Sequence, residues 1–225
     1  MFMTLLAGFE VWLAHNTGAR DFVVGTDLAN RTRVETERMI GFFINLLPLR
    51  SDLRDNPTFE EILARVRETA LGAYAHQEVP FEKLVEELRL ERSPAYNPLV
   101  QVLFVMQNVP RKPLALTGLE SGSFGSHLER SKFDMAVFMV ESDTGLTSHW
   151  VYATDLFEEA TIARWAERYG QVLTAVIERP QAELELLLET LRQSDQQRRA
   201  TEEKNFESAS RQRLKQVKRK ALTEA

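Results

Sequence analysis

Three polar side chains precede a proline at which a helix is expected to begin. They are His76, Gln77 and Glu78, followed by Val79 and Pro80. Proline suits the first turn of a helix because its φ is already fixed and the first amides have no acceptor inside the helix. Side chains at a helix start can meet a substrate, although a lone histidine more often has a structural role. These three side chains are therefore held where they can meet a substrate or a neighbouring strand.

Asn45 is a further candidate, because it is the polar exception in an apolar run over residues 40–49. Its amide could hydrogen-bond a substrate near a reacting group. It could equally satisfy a free backbone group, as most buried asparagines do. The residues alone leave both interpretations open.

The composition excludes several kinds of site and segment. The chain has no cysteine, which excludes disulfides, thiolate nucleophiles and zinc–thiolate centres and fits a cytoplasmic location. The histidines at positions 15, 76, 127 and 149 are isolated, and we find no phosphate-binding loop and no metal-ligand spacing. The apolar start of the chain carries Glu10 and lacks a basic segment, which predicts a core helix and not a signal peptide. No run reaches the ~18 apolar residues that a membrane span needs.

The net charge of −5 is unevenly distributed along the chain. From Arg192 to the end there are ten Lys or Arg residues and five Asp or Glu residues, so this tail carries +5 and the remainder −10. A basic tail could contact nucleic acid or an acidic partner. A solvated linker helix is the favoured interpretation, and we expect neither a nucleic-acid nor a membrane partner.

Hydrophobic periodicity predicts helices packed on a mixed sheet. Thr58 and Glu61 form a capping-box pattern at the start of one helix. The run 99–106 is apolar on both faces apart from one glutamine, which is typical of a central strand. The predicted elements are a helix ending near Gly18, a strand over 22–26, a loop over 30–37, extended structure over most of 40–49, helices over 59–74 and from 80 to 88, a strand over 99–106, loops near 110–125, a hairpin of 133–141 with 146–153, and a helix from 162 to 177 closed by Pro180.

Three stretches in this order resemble the last three sequence motifs of condensation domains from nonribosomal peptide synthetases. They are IGFFINLLPLR at 40–50, HQEVPFE at 76–82 and RSPAYNPL at 92–99. The resemblance covers about residues 1–191 and implies an α/β fold of the α+β sandwich kind. This fold is a chloramphenicol-acetyltransferase-like lobe whose mixed sheet is covered by helices. Residues 192–225 fall outside it and are expected to form a polar, basic linker or tail of helical structure.

The resemblance also implies a chemistry. Condensation domains are two such lobes arranged as a V, and they join aminoacyl or peptidyl thioesters held on the phosphopantetheine arms of carrier proteins. The products are secondary metabolites such as antibiotics or siderophores. The family's catalytic pair of adjacent histidines, followed three residues later by Asp-Gly, does not occur in this sequence. We therefore expect a carboxy-terminal half, inactive alone, that binds no cofactor directly and partners an amino-terminal lobe or adjacent synthetase domain.

Site roles follow from the resemblance residue by residue. It places Asn45 near the reaction centre, and His76, Gln77 and Glu82 in a loop beside the tunnel. Arg50 could pair with the aspartate of the missing motif, with Arg31 a rival for that role and a plain surface arginine the blander alternative. Ser131 and Asp134 match a stretch near the acceptor side. Two positions depart from the family pattern, Leu46 in place of threonine and Glu78 in place of aspartate.

Two further functions are compatible with the same motifs. Some condensation-like domains do no chemistry and act as docking platforms that present a carrier-bound aminoacyl group to a tailoring enzyme. A lobe without the histidine motif suits that role as well. An epimerisation or other acyltransferase-type relative shares the fold. The donor and acceptor amino acids are not specified by this sequence.

Overall fold

The computed structural model describes residues 1–31, 33–90, 93, 96–107, 131–143 and 145–223. The loops predicted near 110–125 and His127 lie outside these residues. The elements in chain order are α1 Phe2–Thr17, β1 Asp21–Leu28, α2 Val34–Glu37, β2 Asn45–Asp52, α3 Phe59–Ala75, α4 Phe81–Glu87, β3 Val102–Gln107, β4 Met135–Ser142, β5 Gly145–Tyr152, α5 Glu159–Glu178 and α6 Leu184–Thr223.

The five strands form one mixed sheet in the order β2-β1-β3-β4-β5. The outer pairs β1–β2 and β4–β5 are antiparallel, whereas β1–β3 and β3–β4 are parallel. β3 lies at the centre, as its apolar faces predict, and β4 and β5 form the predicted hairpin. The mixed sheet of the predicted α/β fold is confirmed.

One face of the sheet is covered by α1, α3 and α5. Helix α1 is buried over most of its length, and its Phe9 and Trp12 stack with ring centroids 5.1 Å apart. Phe9 also lies against Phe104 of the central strand, at 4.8 Å between centroids. Tyr169 of α5 donates a hydrogen bond from its hydroxyl to the Leu5 carbonyl at 2.8 Å. This aromatic cluster fixes the distance between the helices and the sheet.

Local signals predicted most helix ends correctly. The Thr58 hydroxyl accepts from the Glu61 amide, and the Glu61 carboxylate accepts from the Thr58 amide at 2.8 Å, so the capping box is confirmed. Gly18 ends α1 in the left-handed conformation, with φ of 74°. The predicted start at Pro80 is wrong by one residue. Pro80 has ψ of 142°, so it caps α4, which begins at Phe81.

Two predictions between β1 and β2 are partly wrong. The segment predicted as a loop over 30–37 contains the short helix α2, Val34–Glu37. The extended run begins at Asn45, where Leu28 supplies a cross-strand partner, and residues 40–44 lie outside the sheet. Their apolar side chains are largely solvent-exposed, including Ile40 and Phe42 at 104% and 87% exposure. Apolar composition here therefore does not report pairing in a sheet.

The other face of the sheet approaches its neighbours closely at Gly25 of β1. A Cβ atom at this position would lie 2.5 Å from the Val100 side chain and 3.0 Å from the Leu46 side chain. The absence of a side chain lets apolar residues of β2 and of the segment before β3 close over the middle of β1. This packing forms the floor beside the cleft described below.

Helix α6 is fastened to the helical layer by Asp195. The Asp195 carboxylate lies 2.9 Å from Nε2 of His15 in α1 and accepts a hydrogen bond from Nη2 of Arg168 in α5. Arg168 is 6% exposed and also donates to the Leu191 carbonyl at 3.0 Å. The predicted boundary between residues 191 and 192 falls inside this helix, and it stays a prediction.

Among the described residues, no helix combines the length and the apolar character needed to cross a membrane.

We predict that Asp195→Ala lowers the free energy of unfolding by about 3 kcal/mol, because it leaves the buried Arg168 guanidinium without its carboxylate. Urea denaturation followed by circular dichroism measures the change. Glu203→Ala is the matched control, since Glu203 is an exposed carboxylate on the same helix. Equal midpoints for the two variants would contradict the anchoring role of Asp195.

Glu10 is a buried carboxyl within the apolar helix α1, with 3% exposure. Burial raises its pKa to about 8, and the neighbouring Ser51 acts in the opposite direction. Among the described residues the Ser51 hydroxyl has no hydrogen bond of normal geometry, so it stabilises the ionised form of Glu10 only weakly. Glu10 is therefore protonated in the folded protein at neutral pH.

Because the folded pKa of Glu10 lies above its unfolded value of 4.5, its contribution to stability is complete below pH 4.5 and is lost as the pH rises towards 8. We expect the free energy of unfolding to fall by about 1 kcal/mol per pH unit between pH 5.5 and 7.5. Glu10→Gln should flatten this slope and make the protein more stable than the wild type at pH 8. Parallel stability–pH curves for the two proteins would overturn the assignment.

Candidate functional site

A cleft of about 640 Å³ opens where β1 and β2 meet the loop before α4. Among the described residues, its walls combine carboxylates, one lysine, two asparagines and aromatic rings. The lining residues are Asp27, Asn30, Phe42, Phe43, Ile44, Asn45, Leu46, Glu78, Pro80, Phe81, Glu82, Lys132 and Phe133. They come from four separate parts of the chain, so only the folded structure assembles this site.

The Asn45 side chain binds the loop that leads into α4. Its Nδ2 donates to the carbonyls of Gln77 and Val79, each at 2.8 Å, and its Oδ1 accepts from the Phe81 amide at 3.2 Å. Both amide hydrogens are therefore used by backbone carbonyls. Of the two roles open for Asn45 from sequence, this geometry corresponds to the satisfaction of backbone groups. It fixes the loop against the first residue of β2.

Arg31 organises the segment between β1 and β2. Its Nη1 donates to the carbonyls of Thr36 and Met39, the second at 2.9 Å, and its guanidinium carbon lies 4.3 Å from the centre of the Phe43 ring. Arg31 thus holds an aromatic wall of the cleft in place while contacting backbone. It acts on the cleft through Phe43.

Residues 131–134 border the cleft from the start of β4. The carbonyl of Lys132 accepts a hydrogen bond from the Asn97 side chain, and the Ser131 hydroxyl donates to the Phe133 carbonyl at 2.5 Å. The Asp134 amide donates to the Gln101 carbonyl at 3.0 Å. Ser131 and Asp134 flank the two lining residues Lys132 and Phe133, and their polar groups shape this backbone.

Arg50, His76 and Glu82 are placed differently from one another. Arg50 forms a bidentate pair with Asp21, at 2.9 Å from Nε and 2.7 Å from Nη2, and it is absent from the lining of the cleft. Hydrogen bonding from Arg50 lowers the pKa of Asp21.

His76 caps the end of α3 and is exposed, whereas Glu82 lines the cleft. Gln77 reaches the site through its carbonyl, which Asn45 binds.

Asp27 and Lys132 are lining residues that the sequence analysis did not single out. Asp27 is half-buried near the end of β1, where burial raises its pKa and the charge of Lys132 opposes the shift. The predicted strand ended at Thr26, so Asp27 was assigned to no element. A carboxylate directly after a buried apolar strand was the available signal, because such a group is costly to desolvate without a partner.

The cleft can therefore hold a molecule with a polar end and an apolar body. Within the described parts of the chain, no three or more His, Asp or Glu side chains converge as a metal site would require. The histidines at positions 15, 76 and 149 do not line the cleft. As far as the described residues form it, the lining supplies positioning groups and apolar walls and contains no histidine.

Curated relatives are parts of very large synthases. The chain is 52% identical over 180 residues to a subunit of the linear gramicidin synthase of Brevibacillus parabrevis. The aligned region covers 78% of this chain and 4% of that protein. It is 39% identical over 184 residues to chondramide synthase cmdD of Chondromyces crocatus, covering 82% of this chain and 5% of that protein. The chain thus spans a small fraction of these relatives.

Solved structures share the fold described above. The X-domain in a complex with OxyB from teicoplanin biosynthesis matches with a TM-score of 0.75 and 32% identity, over 83% of this chain and 42% of that chain. The four-domain nonribosomal peptide synthetase holo-AB3403 matches with a TM-score of 0.74 over 81% of this chain and 15% of that chain. Its 22% identity supports the fold alone.

The family comparison agrees with these likenesses. The Condensation domain model matches residues 1–198, which include the sheet, the cleft and the Asp195 anchor of α6. The motifs at 40–50 and 76–82 supply the two parts of the cleft that Asn45 joins. The chain belongs to the condensation-domain family.

Proposed function

We propose that this chain is the carboxy-terminal lobe of a nonribosomal peptide synthetase condensation domain. In this role it supplies one wall of the tunnel in which carrier-bound aminoacyl or peptidyl thioesters form an amide bond. The observation that carries the proposal is the family match over residues 1–198 in a chain without adjacent histidines. The chain also spans 42% of the matched X-domain chain, so that protein contains a region without a counterpart here.

The exposed apolar segment between β1 and β2 supports the proposal that a second lobe binds here. Ile40, Phe42 and Ile44 are 104%, 87% and 50% exposed, although Arg31 holds this segment by hydrogen bonds to backbone carbonyls. A fixed apolar surface of this kind marks an interaction site in a soluble protein. The proposed occupant is the amino-terminal lobe, which would bring the histidine motif to the cleft.

The proposed reaction needs little from this lobe beyond positioning. The acceptor amine attacks the thioester carbonyl of the donor, the carbon–nitrogen bond forms, the thiolate of the phosphopantetheine arm leaves, and the amine loses a proton. Holding the amine and the carbonyl together removes much of the entropic cost of the bimolecular step. The loop held by Asn45 and the aromatic walls at Phe43 and Phe81 suit that role.

A docking platform is the second candidate function. The observation that favours it is the match to an X-domain solved together with a partner protein, OxyB, at 32% identity. On this proposal the chain binds a carrier protein and presents its aminoacyl group to a tailoring enzyme. No chemistry at the cleft is then required.

A complementation assay separates the two functions. The chain is mixed with donor and acceptor aminoacyl carrier proteins, with and without the amino-terminal lobe of a condensation domain from the linear gramicidin synthase of Brevibacillus parabrevis. For a half-enzyme we expect amide product only when that lobe is added. Product from the chain alone, above the non-enzymatic background, would contradict the proposal that amide formation requires an amino-terminal lobe.

The controls identify the source of the chemistry. Replacing the second motif histidine of the supplied lobe by alanine should remove the product while leaving binding intact. Carrier-protein binding without product under every condition would favour the docking platform. Mass spectrometry of the carrier-bound species measures product directly.

We predict that Asn45→Asp impairs the complemented reaction about as strongly as Asn45→Ala, by roughly 10-fold in kcat. Aspartate has the size of asparagine but turns the donors facing the Gln77 and Val79 carbonyls into acceptors. Asn16→Ala is the matched control, since Asn16 is an exposed asparagine bonded to the Trp12 carbonyl of its own helix. Full activity of Asn45→Asp would show that the reaction does not need the hydrogen bonds from Asn45 to the Gln77 and Val79 carbonyls.

A further inference from the structure

Asp27 is a carboxylate on the sheet face opposite the helical core. Its cross-strand partner is Leu46, and two residues earlier Gly25 lies on the same face, beneath the Leu46 and Leu103 side chains. The core-facing neighbour Val24 is fully buried. The carboxylate therefore points from an apolar floor into the cleft.

No close cation neutralises this group within the described part of the chain. Among these residues, none forms a hydrogen bond or an ion pair within 4 Å with the Asp27 side chain. The Asp27 carboxylate is partly withdrawn from water, and this burial raises its pKa. Lys132 opposes the shift through its charge from a greater distance and is itself exposed. A half-buried carboxylate without a close cation favours a cationic ligand.

The rest of the cleft specifies what that cation is attached to. Glu78 and Glu82 line the same space, so among the described lining residues three carboxylates accompany one lysine. Aromatic rings at Phe43, Phe81 and Phe133, and further apolar side chains, form the remaining walls. A primary ammonium on an apolar body fits this combination, whereas a carboxylate or phosphate ligand would meet like charge.

We propose that Asp27 binds the amino group of an apolar acceptor aminoacyl residue in this cleft. The inference rests on the proposed function, because it assigns the acceptor side of the condensation reaction to this part of the wall. Asp27 is then a substrate-binding residue. Its role is to hold the ammonium form as it enters, and the proton leaves in a later step of the reaction.

The test uses the full chain and two stable probes. One is L-leucyl-pantetheine with the thioester sulfur replaced by nitrogen, and the other is the same compound acetylated on its amino group. Calorimetric titration gives the dissociation constants. We expect the free amine to bind at least about 10-fold more tightly than the acetylated probe, as a charge-assisted hydrogen bond would give. Asp27→Asn should bring this ratio close to one.

Glu35→Gln is the matched control, because it removes one negative charge from an exposed residue that does not line the cleft. It should keep most of the preference for the amine. An unchanged ratio in Asp27→Asn, an equal loss in Glu35→Gln, or failure of the wild type to bind either probe would each overturn the proposal. Thermal unfolding of each variant confirms that the fold is retained.

The complemented reaction distinguishes this inference from the proposed function. If product forms and Asp27→Asn leaves the KM for the acceptor unchanged, the assignment of Asp27 fails while the function stands. If no product forms but the amine preference is lost in Asp27→Asn, the binding site stands and the condensation role fails. We expect the KM for the acceptor to rise about 10-fold with kcat changed less.

Discussion

The burial of α1 is the constraint on which the rest of this fold depends. The helix packs against the sheet, α3 and α5, and its Phe9 and Trp12 contact rings from β3, β5 and α5. The helix is buried on nearly all sides over residues 5–14, so its side chains there do not face water. Even Glu10 lies in the core, as a protonated carboxyl. The dense aromatic packing makes one face of the sheet rigid, and the cleft lies on the other face.

The two faces of the sheet therefore have different roles. On the helical side, stability comes from apolar burial and from the Asp195 anchor that ties α6 to α1 and α5. On the opposite side, Gly25 allows side chains to close over β1, and the cleft forms beside them. Asn45 connects these sides, because it begins β2 and at the same time binds the loop that follows α3.

In the proposed function, a second lobe covers the exposed apolar groups on the cleft side. A lobe that functions against a second lobe needs a surface that is apolar yet held in a defined shape. Arg31 meets this need with backbone hydrogen bonds and its contact with Phe43, so that the segment between β1 and β2 is positioned without being covered. The same segment contributes walls to the cleft, which links partner binding to substrate binding in the proposed function.

The sequence by itself determined most element types, the family, the central position of β3 and the β4–β5 hairpin. Local causes are sufficient there: a capping box starts α3, Gly18 ends α1, and the apolar run of β3 marks a central strand. Tertiary structure decided the roles of the polar residues, because a side chain's partners come from distant parts of the chain. Asn45 is 32 residues from Gln77, and Asp195 is 180 residues from His15. It also decided that residues 40–44 stay outside the sheet and that Asp27 lies in a cleft, since a pattern of apolar and polar residues does not specify which distant segments meet.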